Sequence, residues 1–175
     1  MTESNWEEEL QRVYIRGLAA WKAGRRTPTS LFDDPDRAFL ASIGCTDQEL
    51  FDFIEDFMDW GEPDLETALA VQAIRRDYFL SVLGGNPPER IVPMHELPSK
   101  AAAVDGISWL PRLIVKARLK LRGEMPPELM YGCGGDRPFL RQMNMTLPGF
   151  LALVRECGDD DRKIVTAVKK SAGLS

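Results

Sequence analysis

Apolar residues recur along this chain at spacings of three and four, and no stretch shows sustained apolar–polar alternation. That periodicity predicts an all-α fold. Trp6, Leu10, Val13, Tyr14, Leu18 and Trp21 form a first stripe, opened by a Ser4-x-x-Glu7 capping box and closed near Gly24. Arg25, Arg26, Pro28 and Ser30 read as a loop. Asp34-Pro35 reads as an N-cap with proline in the first turn of a short helix that stops at Gly44. Thr46-x-x-Glu49 is a second capping box, before a helix burying Leu50, Phe53, Ile54, Phe57 and Met58. A further helix runs from about Asp64 to Leu83, with Leu65, Leu69, Ile74, Tyr78 and Val82 turned inward.

Four prolines between 84 and 99 mark a linker, with one helical turn expected at Ala101 to Val104. Ser108 is the expected N-cap of a helix whose stripe is Leu110, Leu113, Ile114, Ala117 and Leu121 and which ends at Gly123. Arg112, Lys116, Arg118, Lys120 and Arg122 ride its other faces. Short helices are predicted from about Asp136 to Asn144, Thr146 to Cys157 and Asp161 to Ala172. The organisation is a first unit over 1–85, a linker over 86–104 and a second unit over 105–175.

The two units carry one pattern twice. Asp36-Arg37-x-Phe39-Leu40 recurs as Asp136-Arg137-x-Phe139-Leu140, and Thr46 recurs as Thr146. The alignment of 36–56 with 136–156 needs no gap and holds 5 identities in 21 positions. Two pseudo-repeated helical units in one compact domain is the architecture this implies. The second copy alone has Tyr131-Gly132-Cys133-Gly134-Gly135 ahead of its Asp-Arg; the first has Phe32-Asp33-Asp34-Pro35 there.

Charge sharpens that asymmetry. The chain of 175 residues has a net charge of -5. Residues 1–85 hold 8 Lys/Arg against 17 Asp/Glu (net -9), and residues 86–175 hold 14 against 10 (net +4). Opposite halves attract each other, or the basic half meets an anion. An acidic chain whose basic helix has no interleaved aromatics is not built for nucleic acid. No apolar run approaches the ~20 residues of a membrane helix. The N-terminus lacks the form of a secretory signal, and three scattered cysteines suit reduced thiols in the cytoplasm.

Cys133 is the candidate for chemistry. It stands between glycines before a helix start, where free N–H groups form an anion-binding concavity that favours a thiolate. A small buried cysteine at a tight turn is the plainer reading of the same residues. Arg112 and Lys116, four apart, share a helical face suited to a carboxylate or phosphate. Tyr131 and Asp136 would orient the ligand and Arg137 would add charge, although Asp-Arg in both copies also fits a structural role. One histidine and unpaired cysteines offer no zinc spacing, and Asp159-Asp160-Asp161 reads as a helix cap. Neither a metal nor a cofactor is implied.

The second unit resembles a bacterial family known as domain of unknown function 5069. The residues that carry the resemblance are Leu110-Pro111-Arg112, Lys116-Ala117-Arg118, Gly123, Tyr131-Gly132-Cys133-Gly134-Gly135-Asp136 and Phe139-Leu140. It covers about 105–172, and more weakly 10–80 if the first unit is a diverged copy. The family supplies no activity, so the resemblance bears on the fold. Two functional readings stand. One is a small anionic-metabolite site in the second unit, walled partly by the first, with Cys133 as nucleophile if it is catalytic. The other is a helical interaction module, for a protein partner or for self-association, without chemistry.

Overall fold

The structure, a computed structural model, describes residues 5–175, so the Ser4 cap lies outside the described residues. The described chain is mostly helical, as the periodicity predicts, and divides into two units, one ending at Pro87 and the other running from Pro88 to Ser175. No described helix is long and apolar enough to cross a membrane.

In the first unit α1 (Trp6–Lys22) lays its stripe on α4 (Asp47–Trp60) and α5 (Leu65–Ser81), with Leu10, Val13 and Tyr14 fully buried. The expected loop at 25–30 instead contains α2 (Pro28–Leu31). Thr27 makes that turn possible, because its hydroxyl accepts from Ser30 N–H while Ser30 returns a bond to the Thr27 N–H. In α3 (Asp34–Ser42) the cap is Asp33, not Asp34: its carboxylate accepts from Asp36 N–H at 2.9 Å, and Pro35 sits in the first turn. Thr46 caps α4 with the full box predicted from Glu49.

α5 buries a different face from the one expected. Ala68, Val71, Gln72, Arg75 and Phe79 point inward, while Val82 is exposed. Apolar residues lie on every side of this helix, so hydropathy alone does not phase it. Gln72 goes inside because its Nε2 donates to Ile43 O at 2.8 Å, and the Arg75 guanidinium lies over the Phe79 ring.

In the second unit the Pro-rich stretch is packed into the fold and is not a free linker. Leu97 joins Leu119 and Leu129 in a small core covered by Val92 and Met125, and Val92 N–H donates to Glu124 O. The helical turn expected at 101–104 is a β-hairpin: β1 (Ala103–Val104) pairs antiparallel with β2 (Ile107–Ser108). Asp105-Gly106 makes the two-residue turn, both with positive φ, which is the conformation this dipeptide favours. Ser108 is therefore in a strand, and Trp109 takes the cap position of α6 (Leu110–Arg122).

α6 is buried on nearly every side. Its apolar stripe is inward as predicted, but Arg112, Lys116 and Lys120 are buried too, and do not ride a solvated face. Their spacing of four makes a second, cationic stripe down the helix. α7 (Asp136–Gln142), α8 (Leu147–Cys157) and α9 (Asp161–Ala172) lie close to their expected bounds, with Thr146 and Asp160 as caps. α8 packs on α6, α7 and α9.

Candidate functional site

Asp136 organises the second unit's polar centre. It is the first residue of α7 and is wholly withdrawn from solvent. A buried carboxylate needs compensating donors, and it has three. Lys116 Nζ reaches Oδ2 at 2.5 Å, Gly132 N–H reaches the same oxygen at 2.9 Å, and Trp109 Nε1 reaches Oδ1 at 2.9 Å. With both oxygens engaged, Asp136 fixes its neighbours in place.

Each donor owes its position to a local feature. Lys116 lies on the cationic stripe of α6, one turn from Arg112. Gly132 has φ 92, a conformation that a side chain would strain, and this turns its N–H toward the carboxylate. Trp109 has φ 72, an unusual conformation for a bulky residue. It is held there by its indole hydrogen bond and by packing on Gly135, where an added Cβ would lie 2.6 Å from the ring.

Cys133 stands at the edge of this centre. Its side chain is partly exposed, and Lys116 Nζ donates to Sγ at 3.3 Å. Lys116 itself is only 2% exposed. The ammonium is thus a buried charge with its carboxylate on one side and the sulfur of a partly exposed cysteine on the other. Gly134 and Gly135, both exposed, form the surface beside the sulfur.

Cys133, Lys116 and Asp136 come together, with Gly134 and Gly135 beside them. Arg112 donates from Nη1 to Pro98 O at 2.7 Å and ties the Pro-rich stretch to α6. Tyr131 is buried, with its hydroxyl donating to Leu147 O at 2.7 Å. Burial pushes its ionisation well above the usual tyrosine range, and Asp136 adds to the effect. Arg137 donates to Gly132 O at 2.7 Å, and its Nη2 lies 3.9 Å from where a side chain on Gly134 would begin. The expected anion-binding concavity is largely used up within the loop: Gly132 N–H serves Asp136, and the N–H groups of Asp136 and Arg137 both bond Cys133 O.

Trp109 and Gly132 belong to this centre and are missed by sequence reasoning. For Gly132 a signal exists in its place within the Tyr-Gly-Cys run. For Trp109 the available signal is its position between a hairpin strand and Leu110-Pro111.

The first unit holds a similar arrangement without the sulfur. Arg16 pairs with Asp36, and Arg37 donates to Phe32 O. There the residue aligned with Cys133 is Asp33, whose side chain is occupied as the cap of α3. In the second unit Asp136 N–H bonds the backbone carbonyl of Cys133, which leaves the Cys133 side chain to face Lys116.

Residues 94–173, in the second half of the chain, match the family described as Domain of unknown function (DUF5069). No curated protein and no solved structure matches the chain.

Proposed function

We propose that the second unit carries a reactive-thiol site in which Cys133 bonds covalently to a small electrophile. The observation that carries this reading is the 3.3 Å contact between the buried Lys116 ammonium and the partly exposed Cys133 Sγ. An ammonium donating to sulfur stabilises the negative charge that sulfur needs as a nucleophile, and more strongly where water is excluded. Asp136 is a positioning residue: it holds Lys116 in place. In the step itself the thiol proton leaves to solvent, a bond forms from Sγ to the electrophilic carbon, and the bond from that carbon to its leaving group breaks, with the leaving group departing with the electron pair into solvent. An electrophile bearing a carboxylate or phosphate would set that group over Gly134, beside Arg137. Reduced cysteines suit a cytoplasmic setting.

We also infer that the two units are copies of one ancestral unit. Arg16 and Lys116, Asp36 and Asp136, Arg37 and Arg137, and the caps Thr46 and Thr146 correspond at a constant offset of 100 residues. Gly44 and Asn144 both have positive φ, and Cys45 N–H and Met145 N–H close the same turn onto Leu40 O and Leu140 O. On this reading the ion pair is inherited scaffolding, and the thiol facing it is what the second copy has gained.

Residue-resolved alkylation by iodoacetamide at constant pH tests the site. Cys133 is expected to react at least ~10-fold faster than Cys157, whose thiol is pushed up by burial and by Glu156. Cys45, buried, is expected to be slowest. Lys116→Gln should remove most of the advantage of Cys133. A Cys133 no faster than Cys157 in the folded protein overturns the reading.

A further inference from the structure

We propose that Cys133 and Lys116 are a modification site at which peroxide joins the two side chains through a sulfur–nitrogen bond. This goes beyond the thiol reactivity above, since it needs no substrate and makes Lys116 a reactant. Three observations carry it. Nζ and Sγ are already in contact at 3.3 Å. Lys116 has no freedom to swing away, being 2% exposed and held by Asp136. Cys133 is accessible to a small oxidant, and it is a free thiol.

The chemistry balances with hydrogen peroxide as the two-electron oxidant. Sγ attacks one peroxide oxygen, the O–O bond breaks, and Cys133 becomes a sulfenic acid with release of water. Lys116 then passes a proton to Asp136 Oδ2, its hydrogen-bond partner. The freed amine lone pair attacks the sulfur, the S–N bond forms, and the S–O bond breaks. The departing hydroxide takes one proton from nitrogen and leaves as water. The proton passed to Asp136 stays there, since the link leaves no ammonium for a carboxylate to pair with. A buried ion pair thereby becomes an uncharged pair, which removes the desolvation cost of two charges. Excess small-molecule thiol attacks the sulfur, the S–N bond breaks, and the amine leaves with the thiol's proton; a second thiol then displaces Cys133 from the mixed disulfide and leaves a small-molecule disulfide.

The test uses the full chain treated with graded hydrogen peroxide, then intact mass measurement and tryptic mapping. The expected product has lost two hydrogen atoms, resists trypsin after Lys116, joins the Lys116 and Cys133 peptides and reverts with dithiothreitol. Lys116→Arg keeps the cation and lacks the amine, so its Cys133 is expected to label with dimedone and to show no such loss. The proposal is overturned if oxidised wild-type Cys133 shows no loss of two hydrogen atoms, stays as sulfenic or sulfinic acid with Lys116 still cleavable, or pairs with another cysteine. The wild-type map decides this even where the variant fails to fold. It is also separable from the reactive-thiol reading, because alkylation rates are measured without oxidant.

Discussion

Lys116 and Asp136 form an ion pair in which neither side chain has appreciable contact with solvent, at 2% and 0% exposure. The related pair in the first unit, Arg16 and Asp36, buries the carboxylate to 5% exposure but leaves the arginine side chain 49% exposed. A cation–carboxylate contact thus has very different surroundings in the two units. A cation open to water can be replaced there by solvent; a cation sealed against a sealed carboxylate cannot.

Breaking the two pairs should therefore cost unequally. Lys116→Met leaves Asp136 buried without its cation and is expected to destabilise by about 3–5 kcal/mol. Arg16→Met is expected to cost about 1–2 kcal/mol, because water reaches Asp36 from the vacated side. Urea unfolding midpoints of the two variants make the comparison. Equal losses would show that burial does not distinguish the pairs.

Position 133 offers a direct comparison of scaffold and chemistry. In the first unit the aligned residue, Asp33, caps α3 through the Asp36 N–H. Cys133→Asp places the same carboxylate ahead of α7 and near the Lys116 ammonium. Stability is expected to stay within about 1 kcal/mol of wild type, the scale of an N-cap effect. Rapid alkylation in the second unit should vanish. A loss of several kcal/mol in thermal or chemical unfolding would mean that the sulfur is a packing element, and that the two loops are not equivalent.

Trp109 lies directly on Gly135, and a Cβ there would meet ring atoms at 2.6 and 2.8 Å. The ring cannot give way without losing its bond to Asp136. Gly135→Ala is therefore expected to destabilise by about 1–3 kcal/mol, as for an overpacked core, and to shift Trp109 fluorescence. Gly134→Ala, with only the Arg137 Nη2 nearby at 3.9 Å, should change neither. Similar behaviour of the two variants would remove Trp109 from the account of this site.

These contrasts also explain what the amino-acid pattern conveys and what it does not. The cap at Thr46 is legible because it depends on a residue three positions on, Glu49. Stripes on α1 and α6 are legible because one face is clearly more apolar. Arg112 and Lys116 read in sequence as a face open to an anion, and their burial depends on partners distant in the chain. Pro98 O lies 14 residues from Arg112, and Asp136 lies 20 residues from Lys116. Gln72 goes against the expected face of α5 for the same reason, since its bond to Ile43 O outweighs hydropathy. The Asp105-Gly106 dipeptide is itself a hairpin signal, but strands of two residues are too short to show the alternation that would support it.

Tyr14 provides a test of the first unit through pH. Its side chain is buried and, among the described residues, its hydroxyl has no hydrogen-bond partner. Burial, reinforced by Asp64, pushes its ionisation up to about 12 from a usual value of 10. Between those values the unfolded chain loses the phenolic proton while the folded chain keeps it. The unfolded state then binds fewer protons, so stability falls as pH rises from 10 toward 12. Below pH 10 both states are protonated and the contribution is intact. Tyr14→Phe removes an unsatisfied hydroxyl, and at neutral pH it is expected to be neutral or stabilising by up to about 1 kcal/mol. Above pH 10 its stability should decline less steeply than that of wild type. Some slope should remain, because Tyr131 is buried with a raised ionisation of its own. Urea midpoints measured at intervals from about pH 8 to 12 give both slopes, and parallel curves would show that Tyr14 ionises in the folded state as readily as in the unfolded chain.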